Sequence, residues 1–268
     1  MPYRLEQKLL RIRQIKFSGV KMNITKLGLG LVAGLAGLTA GMPASATVVY
    51  QNDFQSGAGS EWSQTITENT PTPYWFGQRT FLGEFGNDTV SLSLASLGVH
   101  SGVQLDFDLY LIRSWDGSSG GAALYDYGND IFKVAVQGGP TLLDDTFSNG
   151  NPAGQTYGPA AINPAFTGAA ETYSLGFVFN DGIQGFSQVM DSVYRFSFNF
   201  AHSDSLLAFD FSGIGLQTLD DESWGLDNVR VSLLGIQAPT AVPAPPVLPL
   251  LGAGLIGMLW ARRSKRLS

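Results

Sequence analysis

Residues 103–111 read VQLDFDLYL, and this stretch decides the fold class. Apolar side chains occupy every second position: Val103, Leu105, Phe107, Leu109 and Leu111. Because successive side chains of a strand point to opposite faces of a sheet, the alternation predicts a β-strand with one buried face.

The same period of two recurs along the chain on both sides of this stretch. It is found at 173–179, 194–200, 207–211 and 229–233, with Gly, Asn, Asp and Pro clusters between the runs. No long amphipathic helical pattern interrupts them. The sequence therefore predicts an all-β fold, an antiparallel β-sandwich of jelly-roll or lectin-like type, with residues 147–172 as a long loop that is either functional or mobile.

Charge is divided unevenly along the chain. The formal net charge is −6, yet residues 47–242 hold five basic and 21 acidic residues, a net charge of −16. A surface of this sign repels nucleic acid and anionic lipid, so we expect no nucleic-acid partner. The chain has no cysteine, which excludes disulfides, thiol catalysis and zinc sites of the cysteine type.

The N-terminal segment has the pattern of a secretion signal. Lys26 precedes the apolar stretch 27–42, and Ala44-Ser45-Ala46 follows as a small-residue cleavage site. This order predicts export of the chain and cleavage after Ala46, with an uncleaved N-terminal anchor as the alternative. The basic stretch 1–21 before it leaves Met1 and Met22 both open as the starting residue.

The C-terminal segment predicts a short membrane helix. The apolar run 247–260 would extend about 21 Å as a helix, whereas a bilayer core is about 30 Å thick. A basic tail follows it, comprising Arg262, Arg263, Lys265 and Arg266. This tail places the C-terminus on the cytoplasmic side and residues 47–242 outside the inner membrane.

Pro243, Ala244 and Pro245, after Val242, stand directly before this apolar run and its basic tail. A Pro-x-Pro motif, a short Gly/Leu-rich helix and an Arg-rich tail in this order resemble the PEP-CTERM sorting signal of Gram-negative bacteria. Ala244 stands where that family usually has Glu. The resemblance implies an exosortase-type sortase and the export machinery as partners, transient contact with the inner membrane, and an association with extracellular polysaccharide. A plain C-terminal anchor with a Pro-rich linker is the alternative.

These features predict four parts of the chain. Residues 1–46 form an N-terminal extension with a signal helix, 47–236 an extracellular β-sandwich, 237–246 a Pro-rich linker, and 247–268 a single transmembrane helix with its tail. Phrases at 81–86, 107–117 and 221–229 also resemble an extracellular bacterial β-sandwich module that accompanies sorting signals, for which no activity follows.

Calcium is the first candidate ligand, because it prefers six to eight oxygen ligands from acid-rich loops. The ending W-x-x-D-N-V resembles the last strand of jelly-roll carbohydrate-binding modules, which implies a structural Ca2+ near the first and last strands. The predicted ligands are Asp53, Asp221, Glu222 and Asp227. Acids that cap turns and solvate loops are the alternative.

Sugar binding is the second candidate, because aromatic rings beside acids suit sugar faces. The candidate residues are Trp115, Asp116, Tyr125 and Trp224. The alternative is that the tryptophans fill the ends of the sandwich core.

Hydrolytic chemistry has little support in the sequence. With 21 acids in residues 47–242, some carboxylate pair always meets the spacing of a glycosidase. A Ser-His-Asp triad would need His100 or His202, and neither accompanies a G-x-S-x-G motif. We therefore expect an exported, surface-associated protein that is not an enzyme, with a carbohydrate-binding module or a polysaccharide-acting enzyme as the alternative.

Overall fold

The computed structural model describes residues 45–71, 77–118, 128–150, 154–180, 185 and 187–236. The chain divides into two compact units, 1–42 and 43–268, and all described residues belong to the second. The sorting motif, the apolar run 247–260, the basic tail, Ala44 and Tyr125 lie outside the described residues. Among the residues that are described, no helix is long and apolar enough to cross a membrane.

The described part is all-β with antiparallel pairing, as the sequence predicts. Its strands are β1 (Ser45–Asn52), β2 (Thr67–Asn69), β3 (Thr80–Phe85), β4 (Thr89–Leu94), β5 (Gly102–Arg113), β6 (Ile131–Val136), β7 (Thr141–Thr146), β8 (Glu171–Thr172), β9 (Val178–Asn180), β10 (Ser187–Val189), β11 (Asp191–Ala201), β12 (Leu207–Ile214) and β13 (Glu222–Ile236).

Two sheets form the sandwich. The larger has the order β2-β3-β13-β5-β11-β8, with β1 also pairing to β13, and the smaller has the order β4-β12-β6-β7. The first and last strands are neighbours, as the sequence predicts, since Asn52 pairs with Val229. The strands β9 and β10 form a separate hairpin.

The core between the sheets comes from the alternating side chains that the sequence identifies. The apolar positions of β5 are buried against side chains of β6, β12 and β13. Phe107 of β5 and Phe211 of β12 meet edge to face across the core, with ring centroids 5.3 Å apart. The polar positions of β5 lie on the opposite, outer face of the larger sheet.

A second apolar cluster covers part of that outer face. Its members are Phe81, Tyr110, Ile112, Leu175, Phe177 and Val193. The run 173–179, predicted as a strand, is a loop up to Phe177, and only Val178–Asn180 forms β9. Gly176 has a φ of +88°, which is outside the strand region, and an added Cβ would lie 3.1 Å from the carbonyl oxygen of Pro71.

Asp191 fixes this loop. Its carboxylate is fully buried and accepts hydrogen bonds from the amides of Leu175 (3.0 Å), Gly176 (2.9 Å) and Phe177 (3.1 Å). These hydrogen bonds replace the backbone hydrogen bonds that these amides would form in a paired strand. The alternation at 173–179 therefore predicts the burial of Leu175 and Phe177 correctly, but it is wrong for Tyr173, which is 49% exposed, and for the backbone conformation.

We expect Asp191→Ala to lower the free energy of unfolding by about 2 kcal/mol, because it leaves buried amides without an acceptor. Urea denaturation of the full-length chain in detergent measures this change. The control is Asp144→Asn, whose carboxylate is exposed and pairs with Lys133 at 2.9 Å. Equal stability of Asp191→Ala and the control would contradict the role given to Asp191.

Candidate metal centre

Three carboxylates meet at one end of the sandwich. Asp116 follows β5, Asp130 precedes β6 and Glu222 begins β13, so three separate segments converge there. One carboxylate oxygen from each lies within 4.8 Å of the others. Asp130 and Glu222 are fully buried, and Asp116 is partly exposed.

The backbone after β5 holds Asp130 in place. One carboxylate oxygen, Oδ2, accepts hydrogen bonds from the amides of Asp116 and Gly117, the latter at 3.0 Å. Gly117 has a φ of +84°, and an added Cβ would stand 2.0 Å from the carbonyl oxygen of Gly154. Only glycine fits this turn, so the local chain is shaped around the carboxylate.

Glu222 is fixed from the turn that precedes β13. Its Oε2 accepts a hydrogen bond from the amide of Gln217 at 2.7 Å, and its own amide donates to the carbonyl of Thr218 at 2.8 Å. These two bonds fix Glu222 in the cluster.

The remaining oxygens of the two buried residues have no donor. Asp130 Oδ1 and Glu222 Oε1 are inaccessible to solvent and face no N–H or hydroxyl donor among the described residues. The two side chains are close enough to hydrogen-bond to each other through a proton that one of the carboxyl groups carries. Within the described part of the chain, neither carboxylate pairs with a lysine or arginine. An unpaired buried carboxylate is costly, so the pair requires a bound proton or a cation.

Electrostatics favours the protonated forms when no cation is bound. Burial raises the pKa of Glu222 far above its ordinary value, and the charge of Asp130 raises it further. Burial likewise raises the pKa of Asp130 well above its usual range. A cation among the three oxygens would reverse this balance and favour the ionised carboxylates.

The cluster can hold a metal ion. Its donors are all carboxylate oxygens, which suit hard cations rather than zinc or copper. Two oxygens bound to one Ca2+ at 2.3–2.6 Å can be at most about 5 Å apart, and the cluster meets this limit. Three carboxylates supply only part of a calcium shell, so water and backbone carbonyls would complete it.

The structure separates the four residues that the sequence nominates for calcium. Glu222 lies in the cluster, whereas Asp221 accepts a hydrogen bond from the hydroxyl of Ser114. Asp227 accepts one from the hydroxyl of Tyr110 at 2.7 Å. Asp53 is exposed, and its carboxylate accepts a hydrogen bond from the backbone amide of Gln55 at 3.2 Å.

Both tryptophans nominated for sugar binding are fully buried. The indole N–H of Trp115 donates to the carbonyl of Ser223, and that of Trp224 to the carbonyl of Gly86, each at 2.8 Å. They fill the core beside the acidic cluster and present no face to a sugar. Asp116, nominated with them, belongs to the cluster.

The other residues considered for chemistry lie apart from the cluster. The carboxylate of Asp108, on the outer sheet face, accepts a hydrogen bond from the side-chain amide of Asn228 at 2.9 Å. His100 and His202 hydrogen-bond to each other at 2.8 Å, at the opposite end of the strands. Neither histidine is therefore close to the three carboxylates.

Asp130 is the member of the cluster that sequence reasoning misses. It precedes the alternating stretch Ile131–Val136, and nothing in the sequence links it to Asp116 or Glu222. Only the pairing of β6 with β12, and of β5 with β13, brings the three segments together.

The fold and the site define an antiparallel β-sandwich with a buried carboxylate cluster. No protein-family model and no curated protein matches the sequence. Solved structures with partial likeness include the dimeric latent PorU of Porphyromonas gingivalis, at 12% identity and a TM-score of 0.37, covering 78% of this chain and 15% of that one. The K3 cleaved adhesin domain of Lys-gingipain from the same organism matches at 14% identity and a TM-score of 0.34, covering 69% and 99%.

An exo-β-1,3-galactanase of Phanerochaete chrysosporium matches at 12% identity and a TM-score of 0.28, covering 70% of this chain and 29% of that one. These TM-scores and identities are too low to assign a ligand or an activity to this chain. The function therefore has to be argued from the chain's own residues.

Proposed function

We propose that this chain is an exported, surface-associated protein without enzymatic activity, whose β-sandwich is stabilised by a bound Ca2+. The observation that carries the calcium assignment is the convergence of the carboxylates of Asp116, Asp130 and Glu222, two of them fully buried and without a cationic partner among the described residues. The ion would join the loop after β5 to the starts of β6 and β13. Its role is to stabilise the fold, because the cluster is closed in by core residues such as Trp115 and Trp224.

Export and sorting rest on the two ends of the sequence. The cleavage site at Ala44–Ala46, the Pro243–Pro245 motif and the basic tail support delivery across the inner membrane, processing by an exosortase-type sortase, and retention at the cell surface or in the extracellular matrix. The acidic body, with a net charge of −16 over residues 47–242, is compatible with a location outside the cell.

Mass spectrometry of the mature termini tests this part of the proposal. We expect an N-terminus at Thr47 and a C-terminus close to Pro243 in the surface form. A surface form that is intact through Ser268 would contradict sortase processing, and an uncleaved N-terminus would contradict the signal peptide.

Polysaccharide binding is the second candidate function. The outer face of the larger sheet supports it, because polar side chains line it at Gln104, Asp106, Asp108, Ser197 and Asn199. A glycan-array screen of the full-length chain tests this directly. Binding that is lost in Asp106→Ala, at unchanged stability, would support the outer face as the sugar site, and no binding would leave the structural role.

A further inference from the structure

One end of the sandwich is almost free of charge. Three turns meet there: 95–101 between β4 and β5, 137–140 between β6 and β7, and 202–206 between β11 and β12. The pairs Gly102 with Ala201, Leu207 with Leu94, and Phe209 with Val136 place all three at the same end. We call these three turns the neutral end.

The three turns of the neutral end carry one formal charge, that of Asp204, and one further acid, Glu61, lies beside them, because its carbonyl accepts the amide of Ser93 at the end of β4. The described acids at the opposite end include Glu84, Asp88, Asp116, Asp130, Asp145, Asp191, Asp220, Asp221 and Glu222. Residues 47–242 have a net charge of −16, and few of these negative charges lie at the neutral end. Such a surface is not repelled by anionic lipid, unlike the rest of the domain.

Both ends of the described domain also lie at the neutral end. Ser45, at the start of β1, pairs with Ile236, at the end of β13, and the amide of Ser101 donates to the carbonyl of Leu234 at 3.0 Å. Ten residues, 237–246, separate Ile236 from the apolar run 247–260. Even when fully extended they reach only about 36 Å.

Two large apolar side chains project from the neutral end. Val99 is 91% exposed and Leu206 is 67% exposed, the highest values among the large hydrophobic residues described. The two turns that carry them are joined, because the amide of Leu97 donates to the carbonyl of Ser205 at 3.0 Å. Both side chains are thus presented from connected turns.

The histidine pair joins the same two turns. His100 Nδ1 lies 2.6 Å from the carbonyl oxygen of Gly98, which can only accept, so Nδ1 carries the hydrogen. In the neutral ring His100 Nε2 then accepts from His202 Nδ1, at 2.8 Å. The ring centroids are 5.1 Å apart, so the two nitrogens face each other almost in line and leave no room for a metal ion.

We propose that the neutral end faces the membrane in the anchored form of the chain, and that Val99 and Leu206 insert into the lipid interface. This inference rests on the proposed C-terminal anchor. Four observations support a lipid surface as the partner of this end. Ile236 lies there, the segment 237–246 that follows is short, the three turns carry little charge, and Val99 and Leu206 are exposed. The acidic cluster would then lie about 40 Å farther from the bilayer, at the other end of the 12-residue strand β5.

The absence of cysteine allows single-site labelling to test the proposal. Val99→Cys and Leu206→Cys carry an environment-sensitive fluorophore in the full-length chain, reconstituted into phosphatidylethanolamine–phosphatidylglycerol vesicles with nitroxide-labelled lipid. The matched control is Leu219→Cys, an apolar position that is 49% exposed in the turn between β12 and β13 at the opposite end.

We expect nitroxide lipid to quench the probes at 99 and 206 at least twofold more strongly than the probe at 219. Equal quenching at all three positions, in chains that are processed to Thr47 and stay with the vesicles after a carbonate wash, would overturn the proposed orientation and leave the C-terminal anchor intact. Chains that the wash removes would show that the anchor itself fails, and the orientation with it.

Discussion

Trp224→Ala is expected to lower the free energy of unfolding by about 3–5 kcal/mol, the usual cost of removing a large buried aromatic side chain. Trp224 is fully buried, and its ring centroid lies 5.0 Å from that of Phe85 and 5.1 Å from that of Phe132. Its indole N–H also donates to the carbonyl of Gly86 at 2.8 Å. The variant loses this packing and leaves that carbonyl without its donor.

Guanidinium denaturation of the full-length chain in detergent measures the effect of Trp224→Ala. Ile66→Ala is the control, because Ile66 is 55% exposed and its truncation should cost less than about 1 kcal/mol. If Trp224 bound a sugar instead of packing in the core, the variant would lose sugar binding while its stability stayed nearly unchanged. That result would contradict the packing role.

Calcium at 100 times its dissociation constant is expected to stabilise the chain by about 2.7 kcal/mol, because it binds only the folded cluster. For a domain of this size the shift in Tm is about 5–11 °C. Asp130→Asn and Glu222→Gln should abolish the shift, since each removes a charged ligand. Thermal melts of the full-length chain in calcium and in chelator measure it.

Glu222→Gln has a second expected effect that a merely structural role would not produce. Without a cation, burial and the charge of Asp130 keep Glu222 protonated in the folded chain, so at neutral pH folding has to take up a proton. Glutamine is neutral without taking up a proton, so the variant should be at least as stable as the wild type in chelator. Asp144→Asn, which changes an exposed carboxylate, is the matched control and should keep the calcium response. A full calcium response in Glu222→Gln would contradict the site.

The metal-free chain is expected to lose stability as the pH rises. The folded-state pKa of Asp130 and of Glu222 is raised by burial, so the folded chain retains protons that the unfolded chain releases above about pH 4.5. The destabilisation starts near that pH and grows until the pH reaches the raised folded-state pKa values. Calcium should oppose this slope, because metal binding releases those protons.

Urea denaturation at pH 5 and pH 8, in chelator, measures the slope in the wild type and in Glu222→Gln. The variant should show a smaller loss of stability between the two pH values, since one of the two groups no longer titrates. The same loss of stability in both proteins would contradict the assignment of the slope to the cluster.

The sequence predicts the strand content well where alternation and backbone geometry agree. The runs at 103–111, 194–200, 207–211 and 229–233 are parts of β5, β11, β12 and β13, because their apolar positions face a shared core. The run at 173–179 fails because Gly176 adopts a positive φ and Asp191 supplies the acceptors that a neighbouring strand would have provided. Alternation predicts burial at most of these positions, with Tyr173 as an exposed exception, and it does not identify the hydrogen-bond partners of the backbone.

The metal centre is only partly accessible from the sequence. Glu222 is nominated because acids precede the last strand, and Asp116 because it adjoins Trp115. Asp130 carries no signal of its own, since its closeness to Asp116 and Glu222 depends on strand order and on the turn at Gly117. Asp53 directly follows β1, which pairs with the strand β13 that carries Asp227, but Asp227 accepts the hydroxyl of Tyr110 and Asp53 accepts the amide of Gln55.

The central claim is that a cation occupies the space between Asp130 Oδ1 and Glu222 Oε1. Equilibrium dialysis of the full-length chain against radioactive calcium, in detergent, tests it most directly. We predict one tightly bound ion per wild-type chain and the loss of that ion in Asp130→Asn, with Asp144→Asn unchanged. No bound calcium in a folded wild-type chain, or the same binding in Asp130→Asn, would contradict the claim.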